Sequence, residues 1–453
     1  MPLTPPININ ELGLRATNLE APTLGMRGTH TWTDSELPRN YREGLLYLRP
    51  NGKAPLTAML SKLKKVKENQ SHFHWFSKKL QYKGCDVSAY TINGQPPAGT
   101  AIALNDVISL AIDATFGYQV RAGHTVLVRD ASKQSDDIVL KVTSVTRGAL
   151  TATVVGRAIS ACATLAPEYD RMIIIGNYNP EASARPAAIS YNATEYGNMQ
   201  QIWRNPLAMS RTDLANKSRL GDRYRQLKLE TLEDHAMEQE FSLLFGEMSF
   251  ELGDNGMPER TMQGIIPFVR EYASENVIDA ARLAVTDMNQ ANGTQWTTFG
   301  LELLEEYLIR PSFTWGDAME KFVFCGSGVM SAIQQVVRSS SQYTITNGAA
   351  AYGIKVTSLE TVHGTWHFHK HPLFNHENSM QNSLLAFEPE MLEWRYSMDM
   401  HYEKDIYMGK GGGDGIDGIR EGYITEGGLA IYHPELFIYA SNVGVAAIDD
   451  NNP

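Results

Sequence analysis

The 453-residue sequence predicts an α+β fold of more than one compact unit, and three observations carry that reading. Between about Leu104 and Ile175, short alternating apolar runs separated by turn residues read as a small sandwich or barrel. After Ser210-Arg211-Thr212-Asp213, which fits a capping box, a long helical stripe begins. Beyond it helices and strands mix without a βαβ rhythm, and no internal repeat is found.

In chain order, residues 1–50 contain Pro2, Pro5, Pro6, Pro22, Pro38 and Pro50. Each removes a backbone donor and resists helix, so this stretch is expected to be an extended arm held by a neighbouring subunit. Ala54 to Leu63 has helical spacing and runs into Lys62, Lys64, Lys65 and Lys67, read as a solvated helix end. Ser71 to Phe76 reads as a strand with Phe73 and Trp75 on one face.

The β-rich stretch offers runs at Asp106–Ile112, Thr125–Val128, Ile138–Val145, Leu150–Val155 and Arg171–Ile175. Within it Ile138, Leu140 and Val142 share an apolar face while Lys141 and Thr143 turn outward. The long helix is expected over Leu220–Gly246, roughly 40 Å at 1.5 Å per residue. Its stripe is Leu220, Tyr224, Leu227, Thr231, Met237, Phe241, Leu244 and Phe245, with charges such as Glu238 and Glu240 elsewhere. Gly253 to Pro258 forbids continuation. Further helices are expected at Asn276–Leu283, Leu301–Ile309 and Ser327–Ser339, and strands at Tyr352–Glu360, Thr365–His371, Leu384–Glu388 and Gly428–Tyr432.

Composition narrows the function. Hydrophobic residues make up 43% and charged residues 20%, the balance of a globular chain. A net charge of −11 and a pI near 5.6 argue against a protein that grips nucleic acid through its phosphates. No apolar run approaches the roughly 20 residues that span a bilayer, and Met1 to Pro6 lacks a signal-peptide pattern, so a cytosolic product without membrane partners is expected. Cys85, Cys162 and Cys325 are an odd number with no Cys-x-x-Cys pair and read as buried thiols.

His363, His367, His369, His371 and His376 fall within fourteen residues, and a strand would point His367, His369 and His371 to one side, as a metal site requires. No carboxylate follows until Glu377, and Pro372 ends the strand, so a polar strand face or subunit contact is favoured. His72-x-His74 is read as an exposed strand face, and His235 with Glu238 as surface charge on the long helix. Gly409 to Gly415 lacks phosphate-loop spacing, and Asp414, Asp417 and Glu421 miss the calcium-loop pattern. No catalytic, cofactor-binding or metal residue is assigned, no cofactor is expected, and the chain is read as a non-enzyme.

Five segments in order carry a resemblance: Lys53-Ala54-Pro55-Leu56-Thr57-Ala58-Met59-Leu60 with Phe73-His74-Trp75-Phe76; Glu238 to Gly246; Arg260-Thr261-Met262-Gln263-Gly264-Ile265; Phe322 to Gly326; and Thr425-Glu426-Gly427-Gly428-Leu429. Together they resemble the tailed-bacteriophage major capsid family of HK97-like fold, in its subgroup with a β-rich insertion. The resemblance implies an arm over 1–50, an extended-loop region over 51–212 with the insertion at about 100–185, a peripheral domain with a spine helix over 213–320, an axial domain over 321–383, and return strands over 384–453. It further implies a subunit that self-assembles, as hexamers and pentamers, into an icosahedral head. That head would enclose double-stranded DNA without reading its sequence, with portal, scaffolding and possibly cement proteins as partners, and would be assembled in the host bacterial cytoplasm and kept in the virion. A scaffold is expected as a separate protein, and no cross-linking Lys and Asn pair can be nominated. The alternatives are an encapsulin-like compartment shell and, behind it, a metal-dependent enzyme using His363 to His376.

Overall fold

Alternating apolar residues between turns close one part of the chain into a barrel, and a second part builds two larger sheets around a long helix. The computed structural model describes residues 54–96, 102–129, 137–155, 170–183, 185–186, 188–216, 222–282, 300–340, 345–351, 354–404 and 418–445. The expected arm at 1–50, Cys162 and the Gly409–Gly415 loop lie outside them. The chain divides into a unit of residues 74–196 and a unit made of the remainder.

The smaller unit is a closed barrel of β3 (Gly84–Ile92), β4 (Val107–Ile112), β5 (His124–Arg129), β6 (Ile138–Thr146), β7 (Ala149–Val154) and β8 (Arg171–Asn177), in the order β3-β4-β7-β6-β5-β8. Every neighbouring pair is antiparallel, including β3 with β8, so the barrel has no free edge. Val126, Val128, Ile138, Leu140, Val142, Leu150, Ala152 and Val154 alternate inward and form its core with Ile108, Leu110 and Met172. Lys141 and Thr143 turn outward as expected. Strand β3 lies upstream of Leu104, outside the stretch the alternation had marked. Its inward residues Val87, Tyr90 and Ile92 are not evenly spaced, because the register slips between Val87 and Ala89.

The larger unit begins with α1 (Pro55–Leu60) and β1 (Lys65–Lys67). Lys62 is exposed in the turn that ends α1, but Lys65 and Lys67 belong to a strand rather than a helix end: β1 pairs in parallel with β19 (Leu392–Glu403), and Lys64 and Lys65 meet Glu393 and Asp399 at 2.7 and 2.9 Å. β2 (His72–Ser77) and β9 (Thr194–Met199) pair where the chain passes into and out of the barrel unit, and Phe73 and Trp75 are buried on β2 as expected. A four-stranded sheet follows the order β1-β19-β20-β10, with β10 at Gln201–Ser210 and β20 at Gly418–Ile431.

Ser210 does cap a helix, accepting the Asp213 N–H at 3.2 Å, but that helix is the short α2 (Arg211–Ala215). The long helix α3 runs Arg223–Phe245, about 35 Å, and Asp222 caps it instead. Its buried face is Thr231, His235, Gln239, Glu240, Leu243 and Leu244, whereas the expected stripe residue Phe241 is 37% exposed. After α3, the Gly253–Pro258 stretch is the turn of a hairpin, β11 (Ser249–Leu252) with β12 (Pro258–Thr261), followed by α4 (Ile265–Tyr272).

The second sheet has seven strands in the order β13-β21-β18-β14-β17-β16-β15. They are β13 (Val277–Asp279), β14 (Glu320–Cys325), β15 (Ile345–Ala351), β16 (Ile354–Glu360), β17 (Thr365–Lys370), β18 (Leu384–Phe387) and β21 (Ile438–Ser441). Of the helix expected at Asn276–Leu283, residues 280–282 are helical, while Val277–Asp279 form strand β13, which gains a parallel ladder with β21 that outweighs local helix preference. Leu303–Ile309 is π-helical. Its buried residues Leu303, Leu304, Leu308 and Ile309 are spaced one and five apart, which i→i+5 bonding puts on one face. They pack with Val323, Trp366, Leu384, Ile438 and the Ser327–Ser340 helix through Val329 and Ile333. Phe322, Phe324 and Phe387 fill the other face of β14 and β18, so both strands are buried on two sides.

Candidate functional site

The feature that sets the larger unit apart is a polar junction buried under α3. Glu240 is fully buried, and all its acceptor capacity is used. Oε1 accepts the Leu56 N–H at 2.7 Å and faces His371 Nε2 at 2.8 Å; Oε2 accepts the Thr57 N–H at 2.8 Å and its hydroxyl at 2.6 Å. These backbone groups are the orphan donors at the start of α1, where Ala54 has no side chain to cap them and Pro55 supplies no N–H. A carboxylate 184 residues away in sequence therefore caps the helix.

His371 closes the arrangement. Its Nδ1 accepts the Leu373 N–H at 3.2 Å, capping the short Pro372–His376 helix, so the proton sits on Nε2 and points to Glu240. One imidazole thus fixes two helix starts, and the rings of Phe324 and Phe374 stand 4.8 and 5.1 Å from it. One turn earlier on α3, His235 bridges Asn205 Oδ1 at 2.5 Å and Thr425 Oγ1 at 2.8 Å, tying the helix to β10 and β20. Burial holds its pKa below the ordinary histidine range. It is not the surface charge expected of it. Its sequence neighbour Glu238 is exposed and takes Asn205 Nδ2 at 2.8 Å.

A second buried polar contact lies in the seven-stranded sheet. Lys321 Nζ meets Glu388 Oε1 and the Leu436 carbonyl, and burial lowers the lysine pKa against the pull of its partner.

The histidine-rich strand does not gather its rings on one ligand. His367 Nδ1 pairs with Ser358 Oγ at 2.9 Å, His369 packs by the Phe322 and Phe324 rings, and His371 lies beyond the strand end with both nitrogens committed. His363 is exposed in the bend between β16 and β17, and His376 is exposed at the end of the Pro372–His376 helix. Among the described residues, no three His, Cys, Asp or Glu side chains come together as a metal site. Glu421 accepts from the Tyr224 hydroxyl at 2.5 Å and from Tyr402. Cys325 is buried as expected, but Cys85 is half-buried, its thiol pushed up to about 12 by burial and then by Asp86.

Sequence reasoning missed Glu240, Thr57 and the Lys321–Glu388 pair. A signal for Glu240 was present: it precedes Leu243 and Leu244 by three and four residues and so shares their face. Among the described residues, the side chains of Glu240, His235 and His371 are committed to one another and to neighbouring elements, so the junction holds those elements together.

The segments that carried the resemblance converge on this region. Leu56 and Thr57 meet Glu240, and Thr425 meets His235. The Gly264 N–H donates to the Gly246 carbonyl at 2.7 Å, and a Cβ on Gly264 would come within 2.9 Å of backbone from Ser242, Leu243 and Gly246. A Cβ on Gly427 would sit 2.4 Å from the Trp394 ring.

Comparison with known proteins gives a consistent result. The family model described as SU10 major capsid protein matches residues 22–443. A curated major capsid protein of Pseudomonas phage PaMx41 is 26% identical over 375 residues, 82% of this chain and 81% of its own. Among solved structures, Microbacterium phage Oxtober96 is similar over 90% of this chain and 96% of its own, at 7% identity and a TM-score of 0.42. The holo-SrpI encapsulin complex from Synechococcus elongatus PCC 7942 is similar over 58% of this chain and 79% of its own, at 11% identity and a TM-score of 0.35.

Proposed function

We propose, from the premise that this chain belongs to the SU10 major capsid protein family, that it builds the icosahedral head of a tailed double-stranded DNA phage as hexamers and pentamers of itself. That it is a phage major capsid protein follows from the family. The observation that supports the finer reading is the match of the family model over 22–443, together with the buried Glu240 junction that ties Leu56, Thr57 and His371, because a shell subunit needs rigid joints more than reactive groups. On this reading an HK97-like plan divides the chain into an arm over 1–50, an extended loop over 51–212 with the insertion at about 100–185, a peripheral domain over 213–320, an axial domain over 321–383 and return strands over 384–453. Portal, scaffolding and cement proteins are the expected partners, and the acidic chain encloses DNA rather than gripping it. Assembly takes place in the host bacterial cytoplasm.

Negative-stain electron microscopy of the purified full-length chain, expressed with and without its neighbouring phage genes, tests this. Uniform shells or capsomers are expected in at least one condition. A strict monomer in both overturns the reading.

A further inference from the structure

Charge is divided unevenly between the two units. Residues 74–196 carry 11 Lys and Arg against 10 Asp and Glu, leaving 29 against 41 in the rest of the chain. Within the barrel, Lys83, Arg121, Lys141 and Arg147 lie at one end, while Arg129 and Arg171 at the other are paired with Asp137 and Asp86. Strand pairing brings the start of β5 beside the close of β8 there, through His124 and Asn177, and the β6–β7 turn follows Thr146. The Gly123 N–H donates to the Val142 carbonyl at 2.9 Å and the Tyr178 N–H to the Gly123 carbonyl at 3.1 Å, which joins these strand ends into one rim.

Two lysine or arginine side chains on the rim lie over tyrosine rings. Lys141 Nζ is 4.6 Å from the Tyr178 centroid and the Arg147 guanidinium 5.4 Å from that of Tyr118. The tyrosines are 41% and 66% exposed. Arg121 and Lys83 both act on His124, whose pKa is lowered first by burial and then by these two charges, so they belong to the same rim. Lys83, Lys141 and Arg147 form no ion pair among the described residues. Asp113 is an acid at this end, and its carboxylate turns to the Thr115 N–H at 3.0 Å.

We propose that this basic, tyrosine-edged rim docks an acidic protein surface of a second copy of this chain. The inference rests on the self-assembly reading. Unpaired cations beside aromatic rings suit carboxylates, and the remainder of every copy carries an excess of them. A nucleic acid would use the rings as stacking platforms, but one face of each is already covered by the protein's own cation.

The test compares full-length wild type with the double variant Lys141→Glu/Arg147→Glu, and with Lys141→Arg, by sedimentation at low and high salt. The double reversal is expected to lower the assembled fraction about five-fold at low salt, with the gap narrowing as salt rises, while Lys141→Arg assembles normally. Hydrogen exchange across β5 to β8 checks that the barrel stays folded; if it does not, Lys141→Gln/Arg147→Gln must show a smaller loss of the same kind. Unchanged assembly in a folded variant overturns the proposal. Unchanged assembly with lost retention of a double-stranded DNA fragment also overturns it, in favour of a nucleic-acid site. Absence of particles from the wild type expressed both with and without its neighbouring phage genes overturns the shell reading itself, and this inference with it.

Discussion

The barrel and the junction under α3 are stabilised in opposite ways. The barrel core is an apolar set drawn from strands that mostly follow one another in sequence, and closure pairs both edges. At the junction, Glu240, His235 and His371 replace part of that apolar filling, and each makes contacts across 131 to 190 residues. Apolar packing tolerates exchange of one hydrophobe for another of similar volume. A saturated carboxylate does not, because each lost acceptor strands a buried donor. The barrel is therefore the more forgiving part of this capsid subunit, and the junction the part where a single atom matters.

The largest effect expected is from Glu240→Ala, which leaves two backbone N–H groups, a hydroxyl and an imidazole without their acceptor. Unfolding of the unassembled subunit should show a loss of about 3–5 kcal/mol, with faster hydrogen exchange in α1 and the Pro372–His376 helix and unchanged exchange in the barrel. A loss below about 1 kcal/mol would erase the contrast. Leu140→Ala should cost about 3 kcal/mol by opening a cavity in the fully buried barrel core, and its exchange signature should stay within β3 to β8.

Thr57→Val keeps both backbone donors on Glu240 and removes only the hydroxyl, so about 1 kcal/mol is expected. A loss equal to that of Glu240→Ala would mean the hydroxyl, not the backbone cap, holds α1. The smallest effect concerns acid. His235 has a depressed folded pKa, so below its unfolded value of 6.5 the unfolded chain binds a proton that the folded chain refuses, and stability falls as pH drops. His235→Gln should flatten that slope in α3, β10 and β20. His124, lowered for the same leading reason, should keep its own in the barrel.

The acidic composition and the mixed α+β character were legible in the sequence, as was most of the barrel. Ile138, Leu140 and Val142 alternate with outward residues, and period two is a property of the strand itself, requiring no knowledge of its neighbour. The long helix and its buried Thr231 and Leu244 were legible for a similar local reason, whereas Leu243 fell outside the expected stripe. Local preference could not reveal that Lys65–Lys67 and Val277–Asp279 are strands, since both are three-residue segments held by parallel partners more than 150 residues away. Helical spacing puts Glu240 on the face of Leu243 and Leu244, but local preference could not reveal what makes a carboxylate tolerable there. A buried carboxylate is tolerable only where enough donors converge on it, and those of Leu56, Thr57 and His371 are assembled by tertiary structure alone.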